Sequence, residues 1–151
     1  MSFELRFPTG RIDWVELKES TEPDYPIDYK MAVLGHDLEH GTLDMLVEFA
    51  PNSYCHFHRH MAHTTTLVLR GEQHLYEVLD DGQMIHKVRK AGEYARAPGG
   101  EAHRECGGPE GALVYFTFQQ EGGPLFDLLD PAGKVVAEST IEELAASQQA
   151  A

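Results

Sequence analysis

From about Tyr29 to Leu129 the chain is a series of short β-like runs, each ended by a turn before it reaches ordinary helix length. Candidate strands cover 29–34, 42–49, 53–58, 64–70, 72–79, 83–89, 93–97, 103–106, 112–119 and 124–129. Asp80-Asp81-Gly82 sits between two such runs and is a hairpin signal, because Asp-Gly accepts the positive φ of a tight hairpin turn. Gly71, Gly92, Gly99-Gly100 and Gly107-Gly108 punctuate the rest, and the Asp130–Gly133 turn leads into a short strand, Lys134–Glu138. Side chains alternate across a strand, so Ala112, Val114, Phe116 and Phe118 share one wholly apolar face. Leu113, Tyr115, Thr117 and Gln119 share a mixed one, as expected of an antiparallel strand with one dry side. Only the last segment, Ser139 to Ala146, combines a capping-box pattern with good helix formers. The fold class expected is therefore all-β, a closed barrel or double-sheet jelly roll with a short C-terminal helix.

A chain of 151 residues suits one domain with a core of its own. Residues 1–28, cut by Pro8, Pro23 and Pro26, read as an N-terminal arm with one or two short strands at most, and 29–151 as the barrel with its helix. The formal charge of −13 argues against nucleic acid, whose phosphates call for clustered Lys and Arg, and against anionic membrane surfaces. Cys55 and Cys106 are too few for a disulfide framework and read as reduced thiols. The N-terminal stretch has no basic segment followed by an apolar one, and no apolar run approaches the ~20 residues of a membrane span. A cytoplasmic location is the expectation.

The chemistry concentrates in Cys55-His56-Phe57-His58-Arg59-His60-Met61-Ala62-His63, which holds four of the chain's nine histidines. On an extended strand His56, His58 and His60 point the same way. Imidazoles facing a barrel interior need partners, because a buried polar ring is unfavourable unless it is bonded. A metal ion satisfies them, and imidazole suits zinc, iron, copper or nickel alike. A solvated His-rich loop would give the same composition, so the cluster by itself leaves both readings open.

The wider pattern resembles the cupin superfamily. His58-Arg59-His60 matches the His-x-His of the first cupin motif, and Gly71 closes that motif at the expected distance. The second motif matches as Gly92, then Pro98-Gly99-Gly100, then His103, with every spacing kept. Three positions depart. Asn52 stands for the opening Gly and can still take left-handed geometry. Thr64 stands in the glutamate slot, and Gly107 replaces the closing Asn. The resemblance implies a single cupin jelly-roll barrel with one divalent transition metal on His58, His60 and His103. His56 and His63 are further candidate ligands. Without the motif glutamate, three neutral rings would leave the ion's full charge, favouring an anionic, chelating substrate.

Within the superfamily the chain looks similar to the acetylacetone and dihydroxyacetophenone dioxygenases. The likeness lies in its length, in its three histidines, and in a tail that runs Gly123-Pro124-Leu125, the Asp130–Gly133 turn and a last strand and helix. That likeness implies Fe(II), with Zn(II) as an ion the protein could carry when purified. It implies dioxygen and a small carbonyl substrate, a β-diketone or hydroxyketone cleaved at a C–C bond. Thr64, Arg70, Tyr76, Arg96, Glu101 and Tyr115 are candidates for the pocket or for support of the ligands. Cys106 reads as a buried, inert thiol, and His36, His40, His74 and His86 as surface or supporting residues. Two other readings stand beside the dioxygenase. One is a non-catalytic zinc-binding sensor similar to the cupin domains of anti-sigma factors. The other is a Lewis-acid isomerase, lyase or hydrolase. A homodimer or homotetramer is expected, which would also cover strand edges.

Overall fold

The computed structural model describes residues 10–19 and 25–150; Pro8 and Pro23 lie outside them. Among the described residues the chain forms β1 (Val15–Glu19), β2 (Ile27–Asp37), β3 (Thr42–Phe49), β4 (His58–His60), β5 (His63–Val78) and β6 (Met84–Lys90). It continues through β7 (Tyr94–Ala97), β8 (Ala102–Gln119), β9 (Phe126–Leu129), β10 (Val135–Ser139) and α1 (Ile141–Ala150). Every named strand pair is antiparallel, and the strands curl into one sheet ordered β1-β2-β3-β8-β4-β9-β10, with β5 pairing β6, β7 and β8. This all-β jelly-roll barrel with its single short helix is the expected architecture.

The long strands β5 and β8 carry the barrel, and both change which alternate residue faces inward part-way along. In β5, Thr64, Thr66 and Val68 are buried, then Gln73 and Leu75. In β8, His103 and Glu105 are buried, then Ala112, Val114, Phe116 and Phe118. The switch is a register shift: Gly71 pairs with Ala112 while Gln73 pairs with Gly107, so residues 108–111 have no partner on β5. The glycines that suggest strand ends in the sequence are bends within two continuous strands.

Gly71 shows why a glycine is needed there. Its φ is 73°, and a Cβ would overlap the carbonyl oxygen of Gly111 on the adjacent strand. Gly71→Ala should therefore destabilise the protein by about 2 kcal/mol, lowering the melting temperature by roughly 4–8 °C for a chain this size. A melt within about 1 °C of the parent would show that the two strands yield freely. Asn52 takes the left-handed geometry expected of its motif position, with φ 53°.

The core gathers Leu43, Met45, Val47 and Phe49 of β3 against Val114, Phe116 and Phe118 of β8, with Ile141 of α1 beneath. Thr140 caps α1, one residue after Ser139: its Oγ1 accepts from the Glu143 amide at 3.2 Å. Cys55 and Cys106 are both buried free thiols. Burial pushes the Cys106 thiol up to about 11 and raises Cys55 well above its ordinary value, so both stay protonated and unreactive near neutrality.

Candidate metal centre

Strand β4 is only three residues long and lies between β8 and β9. Its register sets His58 directly opposite His103 and His60 opposite Phe126. Alternation puts His58 and His60 on one face of β4, and His103 and Glu105 on one face of β8. Two adjacent strands thus bring four donors together. One ligand atom from each of His58, His60, His103 and Glu105 lies within 4.8 Å of the others, and all four residues are buried. The Nε2 of His58 is 2.9 Å from that of His60 and 3.1 Å from that of His103. Glu105 Oε2 lies 3.4 Å from His103 Nε2 and 3.7 Å from His58 Nε2.

The back of each ring is held by an acceptor. His58 Nδ1 donates to the His56 carbonyl at 2.7 Å, and His103 Nδ1 to Glu101 Oε1 at 3.2 Å. His60 Nδ1 donates to Thr64 Oγ1 at 3.0 Å, whose own hydrogen goes to the Ala62 carbonyl. With every Nδ1 engaged as a donor, the Nε2 lone pairs converge, and only a proton or a cation relieves their mutual repulsion. Three imidazoles and one carboxylate are a donor set that a divalent transition ion fits.

The electrostatics agree. Burial pushes His58 down to about 4, with the charge on His103 adding to it, and burial likewise drives His60 well below its ordinary value, so both rings are neutral. Burial opposes charge on His103 too, but the carboxylates of Glu101 and Glu105 outweigh it and raise that pKa. The hydrogen bond from His103 brings Glu101 down to about 2. Burial would raise Glu105, yet His103 holds it below the usual carboxylate range. Lys87 secures the far side of Glu101, 3.3 Å from Oε2, and also pairs with Glu77.

Glu105 was not expected from the sequence. The expectation of three neutral rings without a carboxylate is corrected: the glutamate absent at the Thr64 slot has a counterpart two residues beyond His103. The fully buried Gln73 donates from Nε2 to Glu105 Oε1, leaving Oε2 toward the histidines. The signal was the alternation itself, since residue 105 must share the face of residue 103 on any strand.

Of the other candidates, Thr64 and Glu101 touch the cluster histidines through their side chains and His56 through its backbone carbonyl, while the rest do not. His56 sits ahead of β4 in irregular chain; its ring bonds Tyr29 at 2.9 Å and Glu19 at 2.6 Å. His63 is exposed at the start of β5. Arg70 turns outward to Glu48 at 3.1 Å, and Arg96 is exposed. Tyr76 stacks on His86, ring centres 4.4 Å apart, and Tyr115 donates to Asp44 at 3.3 Å. His63, Arg70, Tyr76, Arg96 and Tyr115 fall on the faces of their strands away from the cluster. Cys106 likewise lies outside the cluster, whereas Cys55 Sγ is 3.7 Å from His58 Nδ1.

Two cavities meet at the cluster. The larger, about 260 Å³, reaches His58, His60 and Glu105 through mostly apolar walls. The smaller, about 30 Å³, lies on the side of His103 and is lined by polar groups including Thr64, Thr66, Gln73, Arg89 and Glu101.

The ChrR cupin-like domain family matches residues 5–122, most of the chain and all four cluster residues. The chain belongs to the ChrR cupin-like family. Its fold is shared by other cupins of known structure. An acetylacetone dioxygenase from Acinetobacter johnsonii superposes with a TM-score of 0.70 at 18% identity, covering 99% of this chain and 94% of that one. A proposed acetylacetone dioxygenase from Methylibium petroleiphilum gives 0.68 at 15% identity, covering 98% and 96%. A cupin-like protein from Thermotoga maritima gives 0.57 at 20% identity, covering 89% and 94%. Such identities establish the cupin fold and no more. No curated protein sequence matches the chain significantly. Among the described residues no helix of this cupin is long and apolar enough to cross a membrane.

Proposed function

We propose that this cupin is an Fe(II)-dependent dioxygenase that cleaves a C–C bond in a β-diketone or hydroxyketone, with His58, His60, His103 and Glu105 as the metal ligands. The observation that carries the reading is the buried cluster opening onto an apolar cavity. The likeness to acetylacetone dioxygenases in fold supports it. Ferrous iron bound there would offer open positions to a chelating substrate and the electrons to reduce dioxygen.

The chain's own residues supply the setting. Thr64, Glu101 and the His56 carbonyl orient the three rings, so the donors are placed before any ligand arrives. Glu105 cancels about half of a divalent charge, and the net positive charge left still favours an enolate over its neutral ketone. The apolar walls keep water from the enolate and hold it by its hydrocarbon part. Overall, a β-diketone and one dioxygen give a carboxylic acid and a dicarbonyl fragment, both oxygen atoms entering the products. That balance needs no separate reductant.

The test is oxygen uptake by protein purified anaerobically and reconstituted with Fe(II), offered a panel of β-diketones and hydroxyacetophenones. One dioxygen consumed per substrate lost is the expected stoichiometry. Substrate loss without oxygen uptake would replace this reading with Lewis-acid chemistry. Tight zinc binding with no turnover of any panel member would favour instead a zinc-holding sensor module.

A further inference from the structure

The 260 Å³ cavity bears on which substrate the centre takes. Its inner end is formed by His58, His60 and Glu105, and its wall by Met31, Met45, Val47, Phe116, Phe118 and Phe126. Among the described residues the only other polar ones on it are Tyr29, His56 and Ser139, apart from the buried Cys55 thiol. Tyr29 and His56 already bond each other at 2.9 Å, and His56 uses its second nitrogen on Glu19. A hydroxyl-rich or charged substrate tail would therefore give up water without finding partners, which disfavours sugars, amino acids and dicarboxylates.

Size narrows the class further. An apolar protein cavity of ~150 Å³ holds one benzene ring. The cavity here exceeds that by the room a dicarbonyl head would need at the cluster. A short diketone with methyl ends would leave much of the wall without contacts, and dispersion is lost wherever a wall atom has no neighbour.

We propose that the substrate carries, on one side of its chelating head, a single unfunctionalised hydrocarbon group of about phenyl size. Val47 and Met31 on neighbouring strands set that size limit. The two are register partners on β3 and β2, with Val47 buried and Met31 half-buried, and both line the cavity. This rests on the proposed reading of the site, and its test is chosen to fail separately.

The experiment is anaerobic calorimetry on the full chain, metal-free and Fe(II)-loaded, with 1-phenylbutane-1,3-dione and pentane-2,4-dione as probes. The phenyl compound should bind the loaded protein at least about tenfold more tightly than the dimethyl one. Val47→Phe should erase most of that ratio with metal content unchanged, and Met31→Trp, at a half-buried position, should do the same if Val47→Phe folds poorly. Equal affinity for the two diketones, or a ratio untouched by Met31→Trp, would overturn the size assignment. Preferential binding of the phenyl compound with no oxygen uptake would instead leave the cavity assignment standing and defeat the dioxygenase reading. Oxygen uptake with pentane-2,4-dione at equal affinity for both would do the reverse.

Discussion

His103→Ala should cost the protein its tight hold on a divalent ion, while His86→Ala should leave metal content unchanged. The contrast follows from placement. His103 faces His58 across one rung of the β4–β8 ladder, and its Nε2 is 3.1 Å from that of His58. His86 lies on the outer face, stacked on Tyr76 and bonded to His74 at 2.9 Å. Loss of a hydrogen bond that merely supports a ligand weakens metal binding by roughly 10–100-fold, so removal of a donor should exceed 100-fold. Metal analysis after dialysis, with melting curves in the presence of excess ion, reads both effects. A ligand that binds only the folded state stabilises it by about 2.7 kcal/mol at 100 times its Kd, so the parent and His86→Ala should gain that shift and His103→Ala should not. Equal metal content in the two variants would refute the assignment.

Glu105 carries the second large effect. Glu105→Leu removes the carboxylate from the donor set and leaves the Gln73 amide without its buried acceptor. Metal affinity should again fall by more than about 100-fold. The metal-free protein should itself lose about 3 kcal/mol, because His103 loses one of its two anionic partners in a dry site. Glu105→Gln keeps the shape and can still bond Gln73, so its stability loss should be about half as large while its metal affinity still drops. A pH series adds a sign. The carboxylates raise the pKa of His103, so at pH values below that raised pKa its Nε2 carries a proton that an incoming ion must displace. Affinity should therefore fall as the pH is lowered through that raised pKa, with about one proton released per ion bound. Calorimetry in buffers of different ionisation enthalpy measures the proton count. A Glu105→Leu protein that holds metal as tightly as the parent would remove Glu105 from the site.

The parts of this centre that were legible in the sequence are those that depend on local spacing. His58-x-His60 and the run from Gly92 to His103 supply three of the four cluster residues, and the structure brings them together, although the strand expected over 53–58 is instead the three-residue β4 at His58–His60. Alternation on 112–119 correctly named the dry face, with Ala112, Val114, Phe116 and Phe118 at 3% exposure or less. What the sequence hid is the inward or outward sense of residues on strands whose parity changes. Arg70 and Tyr76 flank the β5 shift, and no local signal tells that both turn outward. Glu105 was hidden for another reason. Attention to the missing glutamate at the Thr64 slot obscured a carboxylate already in phase with His103. Thr64 itself holds the back of His60, which a hydroxyl one hydrogen bond away does without adding charge.

The shortness of β4 has a consequence for how the protein is made. Three residues, paired to β8 at His58 and Arg59 and to β9 at His58, Arg59 and His60, are all that define that rung, and a slide by a single position would turn both imidazoles to the opposite side of the sheet. A chain that has closed its barrel with this strand misaligned would lack a complete set of donors, so an ion would discriminate between correctly threaded molecules and those off by one. Iron or zinc supplied during synthesis would then act as a proofreader of assembly, and the yield of well-formed barrel would depend on the metal in the growth medium.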